Sequence, residues 1–503
     1  MIDINLAITW LVALPLVSAP VIYLFGRLFF RRRGASNNNP AKWLALLALL
    51  GTGVMWYYTY LSARQMPVRL SVGDIALRVD GISNLMTLTA LVLGILVTIF
   101  SFKYMAGEPG EEKFYALLVA NVGTISGLCM ATDLFNLWVW FEAMAVTTFL
   151  LVAFYRDQRG ALESGIKYLV QSAVGSALVL LGIALVFALT GTLTLNQLPQ
   201  IAAAGNPLLM AAGALFVIGF GVKIALVPLH TWLPDAHSQA PSGISIMLSG
   251  IVIEAGLVAL LRVLSAMSVV TTLWGPILLG FAAINMLVGN LMALRQTEVK
   301  RMLAYSSVAQ VGYMLLGFGF TFAFQSGDGA ISAFFHLMNH ALMKGLAFMA
   351  AGALIYVFFI KKGSHGTLQV EDLNGAAKKY PVAAFTFSVA VLALGGLPPL
   401  SGFMSKTSIF ISGFNSQNVP AMILVVFGAL NAILSLGYYA PLVNRLYRLQ
   451  PSAAVKAGVA MPKLMALPLI LLAAAIIVLG FYPTLLKDFY VAAGMGVLSY
   501  VGQ

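Results

Sequence analysis

Apolar residues run through this chain in long stretches, and most of the charge falls in the short connections between them. The stretches lie at about 5–26, 43–61, 83–102, 114–131, 134–153, 167–190, 206–228, 244–261, 272–293, 302–321, 330–358, 382–411, 421–441 and 464–481. Most are near the ~20 residues a helix needs to cross a bilayer core. The pattern predicts an all-α integral membrane protein of about fourteen transmembrane helices, with no soluble domain of useful size. Period-two alternation occurs only in VRLSVGDIALRV, within the connection Arg64–Asp80, and predicts a small hairpin there.

Two of the spans are interrupted. The seventh meets Pro228 and Pro234, and the twelfth meets Gly395, Gly396, Pro398, Pro399 and Gly402. A helix broken within lipid must face protein or a water-lined cavity. The two interrupted spans lie five apart, an odd number, so they cross in opposite directions. This predicts two inverted five-helix repeats with discontinuous helices 7 and 12. The organisation expected is an N-terminal three-helix segment (1–110), a first repeat of helices 4–8 (111–265), a second of helices 9–13 (270–446), and a basic loop with a C-terminal helix (447–503).

The chain is 60% hydrophobic and 9% charged, far from the roughly 45–50% and 25% of soluble domains. Its net charge of +12 would suit a nucleic-acid binder, but the placement of the charges argues for topology instead. Of 29 Lys and Arg, 21 fall in alternate connections, including Arg31, Arg32, Arg33, Lys300 and Arg301. Five (Arg64, Arg69, Arg78, Arg262, Lys487) fall in the others, and Lys223, Lys344 and Lys406 lie within spans. The positive-inside rule then places the basic connections in the cytoplasm and both termini outside the cell inner (plasma) membrane. The start, MIDINLAITW, carries an acid and no cleavage pattern, so the first span is expected to be retained. Cys129 is the single cysteine, which excludes iron–sulfur clusters and Cys-rich zinc sites. No nucleotide-binding loop is present. No cofactor or metal is expected, and any redox chemistry must happen in a partner.

A charge near the bilayer centre costs about 2.5–3.5 kcal/mol on insertion scales, so those that remain there are expected to work. In ATDLFNLWVWFEAMAVTTFLL, Asp133 reads as a helix cap and Glu142, flanked by Trp138 and Trp140, as a functional acid. In GFGVKIALVPLHTWLPDAH, Lys223 is expected to pair with Glu142, an attraction of about 4 kcal/mol at an effective dielectric near 20. His230, Asp235 and His237 fit no common zinc spacing and read as a polar turn, with proton uptake through a histidine as the alternative. Glu254 either pairs with a lysine or loads ions itself. Lys300 and Arg301 read as interfacial anchors. His336, His340 and Lys344 stand four apart on one helix stripe and read as a relay, with Met338, Met343 and Met349 as core filling. Lys406 follows the break in the twelfth span.

The segments TDLFNLWVWFE, GVKIALVPLHTWLPDAH, KRMLAYSSVAQVGY, HLMNHALMKG and GLPPLSGFMSK resemble the antiporter-like subunit family. Complex I (NADH:quinone oxidoreductase), group 4 membrane-bound hydrogenases and Mrp-type Na+/H+ antiporters share that family. The resemblance implies that Glu142 and Lys223 form the coupling pair. It implies that His336, His340 and Lys344 belong to a mid-membrane polar axis, and that Lys406 is the terminal donor to the outside. Glu254 departs from the lysine common at its position. The absence of a long lateral helix resembles a middle or proximal subunit. The implied partners are sister antiporter-like subunits, other membrane subunits and a peripheral redox module, all within a lipid bilayer. Together these features predict a proton-translocating subunit of a multisubunit respiratory assembly, with Glu142, Lys223, Glu254, His336, His340, Lys344 and Lys406 carrying the proton. The alternatives are a D-like component of an Mrp-type Na+/H+ antiporter, a membrane scaffold docking a catalytic partner, or a stand-alone antiporter.

Overall fold

Thirteen helices among the described residues are long and apolar enough to cross a membrane. They come from a computed structural model that describes residues 3–33, 39–64, 67–72, 75–325 and 327–501. The first half runs α1 (Ile4–Arg33), α2 (Ala41–Ala63), β1 (Val68–Val72), β2 (Ile75–Val79), α3 (Gly81–Tyr104), α4 (Glu111–Met130), α5 (Leu134–Val152) and α6 (Arg159–Thr190). Then come α7 (Pro207–Ile224), a short α8 (Trp232–Gln239) and α9 (Ser242–Ala266). The second half has α10 (Trp274–Leu294), α11 (Val299–Phe324), α12 (Gly327–Phe358), α13 (Pro381–Gly395), α14 (Ser401–Asn415), α15 (Val419–Arg448), α16 (Lys463–Phe481) and α17 (Lys487–Val501). The pair α13–α14 forms the broken twelfth span.

The element order repeats. Helices α4, α5 and α6 are followed by the broken α7–α8 and then α9, as α10, α11 and α12 are followed by the broken α13–α14 and then α15. Both breaks turn through a left-handed residue, Ala225 (φ 59°) and Gly396 (φ 83°), and both contain a cis peptide before proline. The expected hairpin forms, with Leu70 opposite Leu77. Its turn at Gly73–Asp74 lies outside the described residues, as do Met1 and Ile2 of the N-terminal expectation and the side chains of Arg31–Arg33.

Burial is graded from the centre outwards. Every residue of α9 is buried, and α11 and α12 are nearly so, whereas α1, α2, α6 and α15 expose apolar rows. Leu47 and Ile433, 64% and 65% exposed, are what lipid rather than water would cover. Glycines let the central helices touch; a Cβ on Gly175 would lie 2.7 Å from the Gly219 carbonyl, so α6 and α7 meet backbone to backbone there.

Two sequence expectations change. Arg262 does not belong to an outer connection. It lies inside α9, where its Nη2 donates to Asp80 Oδ1 (2.9 Å) and Oδ2 (3.0 Å) and to the Cys129 carbonyl (2.6 Å). Lys300 is not an interfacial anchor, because α11 begins earlier than the hydropathy pattern implied. Its buried ammonium donates to the Ala240 carbonyl at 2.5 Å. Only Arg301 stays near the surface, where it pairs with Asp235 at 2.7 Å.

Candidate functional site

The titratable residues singled out from the sequence gather in separate hydrogen-bonded groups. The first surrounds Lys223, in the last turn of α7 and 1% exposed. Its ammonium donates to Thr148 Oγ1 at 3.2 Å and to the Tyr168 hydroxyl, and those two hydroxyls bond each other at 2.9 Å. Trp232 of α8 stacks flat on Tyr168, with centroids 4.1 Å apart, and donates to the Val222 carbonyl. Glu142, by contrast, is half-buried on α5 with one oxygen unpartnered, and it forms no ion pair among the described residues. The expected contact pair is thus replaced by an acid that acts on the lysine only through space.

The second group is Glu254 with His340. Glu254 Oε1 and His340 Nδ1 lie 2.7 Å apart, and both side chains are fully buried. Glu254 lies two residues after a turn of π-helix, Leu248–Val252, a distortion common at functional positions. Of the two readings left open for this acid, a lysine partner is not what the fold supplies. The third group centres on Lys344, whose ammonium donates to the Leu303 carbonyl (2.6 Å) and to Ser306 Oγ. Ser307 donates to the same carbonyl and meets Ser249 Oγ of α9 at 2.5 Å.

The fourth group joins α12 to the break in the twelfth span. His336 Nδ1 is 2.9 Å from Ser405 Oγ, and its Nε2 is 3.0 Å from Gln310 Oε1. Gln310 Nε2 donates to the Leu394 carbonyl (3.0 Å), the same carbonyl that takes Lys406 Nζ at 2.7 Å. The Lys406 ammonium also lies 4.5 Å from the centre of the Tyr313 ring. Helix α12 thus strings His336, His340 and Lys344 past three of the groups; the two histidine rings are 6.4 Å apart. No hydrogen bond among the described residues joins the Lys223 group to the other three.

The polar turn after α7 is anchored as a cap would be: Asp235 takes Lys167 at 3.1 Å and Arg301. His237 is fully buried and stacked on Phe348, with neither ring nitrogen bonded. Asp133 does cap α5, accepting from the Asn136 amide at 2.7 Å. Beside α8, burial raises the Glu298 carboxyl above the usual range, a shift opposed by its bond from Ser238 and by Lys300 and Arg301.

The model of the family described as NADH:quinone oxidoreductase/Mrp antiporter, TM, matches residues 131–433. The chain belongs to this family. A second model, described as NADH-Ubiquinone oxidoreductase (complex I), chain 5 N-terminus, matches residues 69–115. F(420)H(2) dehydrogenase subunit N of Methanosarcina mazei is 33% identical over 91% of this chain and 93% of its own length. Among solved structures, a chain of the archaeal membrane-bound sulfane sulfur reductase superposes with a TM-score of 0.87 at 29% identity, over 99% of both chains. A chain of Thermus thermophilus respiratory complex I does so at 0.75 and 27% identity, over 95% of this chain and all of that one.

This antiporter-like subunit also builds its polar groups from residues that the sequence reading missed. Thr148, Tyr168, Ser249 and Ser405 carry no charge and read as ordinary span residues. Ser306, Gln310 and Tyr313 did leave a signal: steps of four and three put them on one face of α11. Asn285 of α10 is a further case. Its Oδ1 accepts from the Val227 amide (2.9 Å), and its Nδ2 donates to the carbonyls of Ala225 and Val308 (both 3.3 Å), so it braces the α7 break against α11.

Proposed function

We propose that this chain is a proton-translocating subunit of a multisubunit respiratory assembly in the plasma membrane. The observation that carries the reading is a file of fully buried titratable groups along α12: the Glu254–His340 pair, then His336 with its ring 6.4 Å from that of His340, then Gln310, which links His336 to the Leu394 carbonyl that Lys406 also reaches. Hydrocarbon makes such groups expensive, and structural need alone would place apolar residues there. The relatives' names support the assembly: an F(420)H(2) dehydrogenase subunit and a chain of respiratory complex I are both parts of larger redox machines.

In this reading a proton is taken up from the cytoplasmic side at Lys223 and held by Tyr168 and Thr148, with the charge of Glu142 setting the lysine's affinity from a distance. Water carries it from there to the Glu254–His340 pair; the unbonded Glu254 Oε2 and His340 Nε2 are the atoms such water would serve. His336, bonded on both ring nitrogens, passes it towards Lys406, which releases it outside, and both chain termini lie on that outer side. Redox partners supply the drive by moving charge at the end of the row. Ammonium and imidazole groups do not ligate Na+, so a row built mainly of Lys and His suits H+ better as the carried ion. The two repeats, residues 111–265 and 270–446, then serve as uptake and release halves. Proton pumping by membrane vesicles carrying Lys223→Ala tests the reading. Pumping is expected to be lost while the assembly stays intact, and undiminished pumping would overturn it.

A further inference from the structure

A groove of about 990 Å³ lies on the side of the basic connections, between α1, α4 and the end of α5, and none of its lining residues belongs to the four hydrogen-bonded groups described above. Its wall is largely apolar and mixes small residues, Ala116 and Ala120 on α4, with larger ones, Leu117, Leu150 and Phe154. Leu150 is 45% exposed, so the groove opens sideways to whatever surrounds the helices. Its rim is polar, and the polarity is balanced. Lys113 and Arg156 supply two cations, and Glu108 and Asp157 two carboxylates. Glu108 already meets His365 at 3.7 Å. Lys113, Arg156 and Asp157 have no ion pair among the described residues.

We propose that this groove is a binding site for an aminophospholipid of the phosphatidylethanolamine type. Basic pockets between membrane helices favour lipid phosphates. Here the acids beside the cations add a place for an ammonium group, which neither a phosphatidylglycerol nor a hydrogen-bonding-poor choline headgroup can fill as well. The α4 alanines leave room for acyl chain between the larger apolar side chains, and the rim lies at the level where a headgroup sits. Lys113 and Arg156 hold the phosphate, Asp157 holds the ammonium, and the α4 alanines line the chain.

The test uses the full chain purified with its native partners in mild detergent. It is reconstituted into nanodiscs of phosphatidylcholine doped with phosphatidylethanolamine or phosphatidylglycerol of the same acyl chains. Native mass spectrometry then counts the lipid retained. Selective retention of phosphatidylethanolamine is expected, lowered about tenfold in Lys113→Gln/Arg156→Gln, whose two cations each contribute to phosphate attraction. Asp157→Asn is expected to keep the phosphate contacts and shift the preference towards phosphatidylglycerol. Ala120→Phe, which fills the groove without touching the rim, is expected to lower retention of all three lipids. Equal retention of the three lipids would overturn the proposal. So would phosphatidylethanolamine retention unchanged by the double substitution, or a partner subunit's helix seated in the groove in place of lipid.

Discussion

Lys223 ends the helix before one break, whereas Lys406 sits in the second turn of the helix after the other, and their ammonium groups are held in different ways. At the end of α7 two of the released carbonyls are already taken. Gly221 accepts from the Leu226 amide, and Val222 accepts from the Ala225 amide and the Trp232 indole. That leaves the Lys223 ammonium to the hydroxyls of Thr148 and Tyr168, on other helices. At the end of α13 the amides of Gly396 and Leu397 fill Ala393 and Leu392, but Leu394 is left for side chains, and both Lys406 and Gln310 reach it. Lys406 therefore helps cap a helix whose carboxyl end already favours a cation. The Lys223 ammonium touches hydroxyls and no backbone carbonyl among the described hydrogen bonds, whereas deprotonation of Lys406 weakens a bond to the backbone. A receiving group and a releasing group tied to a conformational joint would be built in these two ways.

The sharpest break of this comparison is to remove each charge while keeping its length. Lys223→Met and Lys406→Met should each lower proton pumping by about a hundredfold, the scale for loss of an acid–base group. Their stabilities should then part. Lys223→Met leaves Thr148 and Tyr168 bonded to each other, so thermal unfolding in detergent should hardly move. Lys406→Met removes a partial cap, worth about 1 kcal/mol, and should lower the midpoint. Equal midpoints would mean the two lysines are held alike.

Next in size come the two amides that brace the breaks. Gln310→Leu strips a partner from both His336 Nε2 and the Leu394 carbonyl, and Asn285→Leu strips one from the Val227 amide. Each orphaned buried group costs about 1–3 kcal/mol, so both variants should unfold several degrees lower. Only Gln310→Leu should change the pH dependence of pumping, because only it touches a residue of the proposed proton route. If Asn285→Leu changes that profile equally, the α7 break is governed from the second repeat rather than from the Lys223 group.

How far these parts could be read from the sequence follows from what each depends on. Hydropathy marks a span by its summed apolar length, so the spans and both breaks were legible, since proline and glycine break helices wherever they stand. The charged members of the row were legible because lipid makes them rare. Their partners were not: Glu254 meets His340 from 86 positions away, and Lys223 meets Tyr168 from 55, and nothing local encodes such a meeting. Glu142 and Lys223 form no direct ion pair among the described residues, and the same reason applies: a sequence gives the shared depth of opposite charges, not their distance. Lys300 and Arg262 were misplaced because hydropathy underestimates a helix whose polar end is buried against its neighbours.

The Glu254–His340 pair gives a smaller effect than the amide braces. Glu254→Gln keeps a group able to bond His340 Nδ1, so the fold should hold to within about 1 kcal/mol. Pumping should fall, because an amide cannot take up and give back a proton. A double-mutant cycle with His340→Ala should show coupling of about 0.5–3 kcal/mol, as contacting residues do. Additive effects would show that the acid and the histidine act independently.

The smallest effect on pumping is expected at the hydroxyl that distinguishes the Lys223 group. Tyr168→Phe keeps the ring stacked on Trp232 and removes only the oxygen that touches the lysine and Thr148. Thr148 remains within 3.2 Å of the ammonium, so the loss is one hydrogen bond to a charged group, about 1.5–3 kcal/mol at most and less where water replaces it. A hydroxyl lost from the charged form favours the neutral amine, so the pH at which pumping is half-maximal should move down while its maximum stays near wild type. The same change should leave the Lys406 end untouched, since no bond among the described residues links the two. A pH profile from vesicles, measured beside Tyr313→Phe as the matching change under Lys406, separates the cases. In Tyr313→Phe the ring that faces the ammonium is kept, and among the described residues the lost hydroxyl bonds only the Gly428 carbonyl, so its profile should not shift. A shift of equal size in both variants would show that hydroxyl loss acts on the whole bundle and not on the lysine it touches.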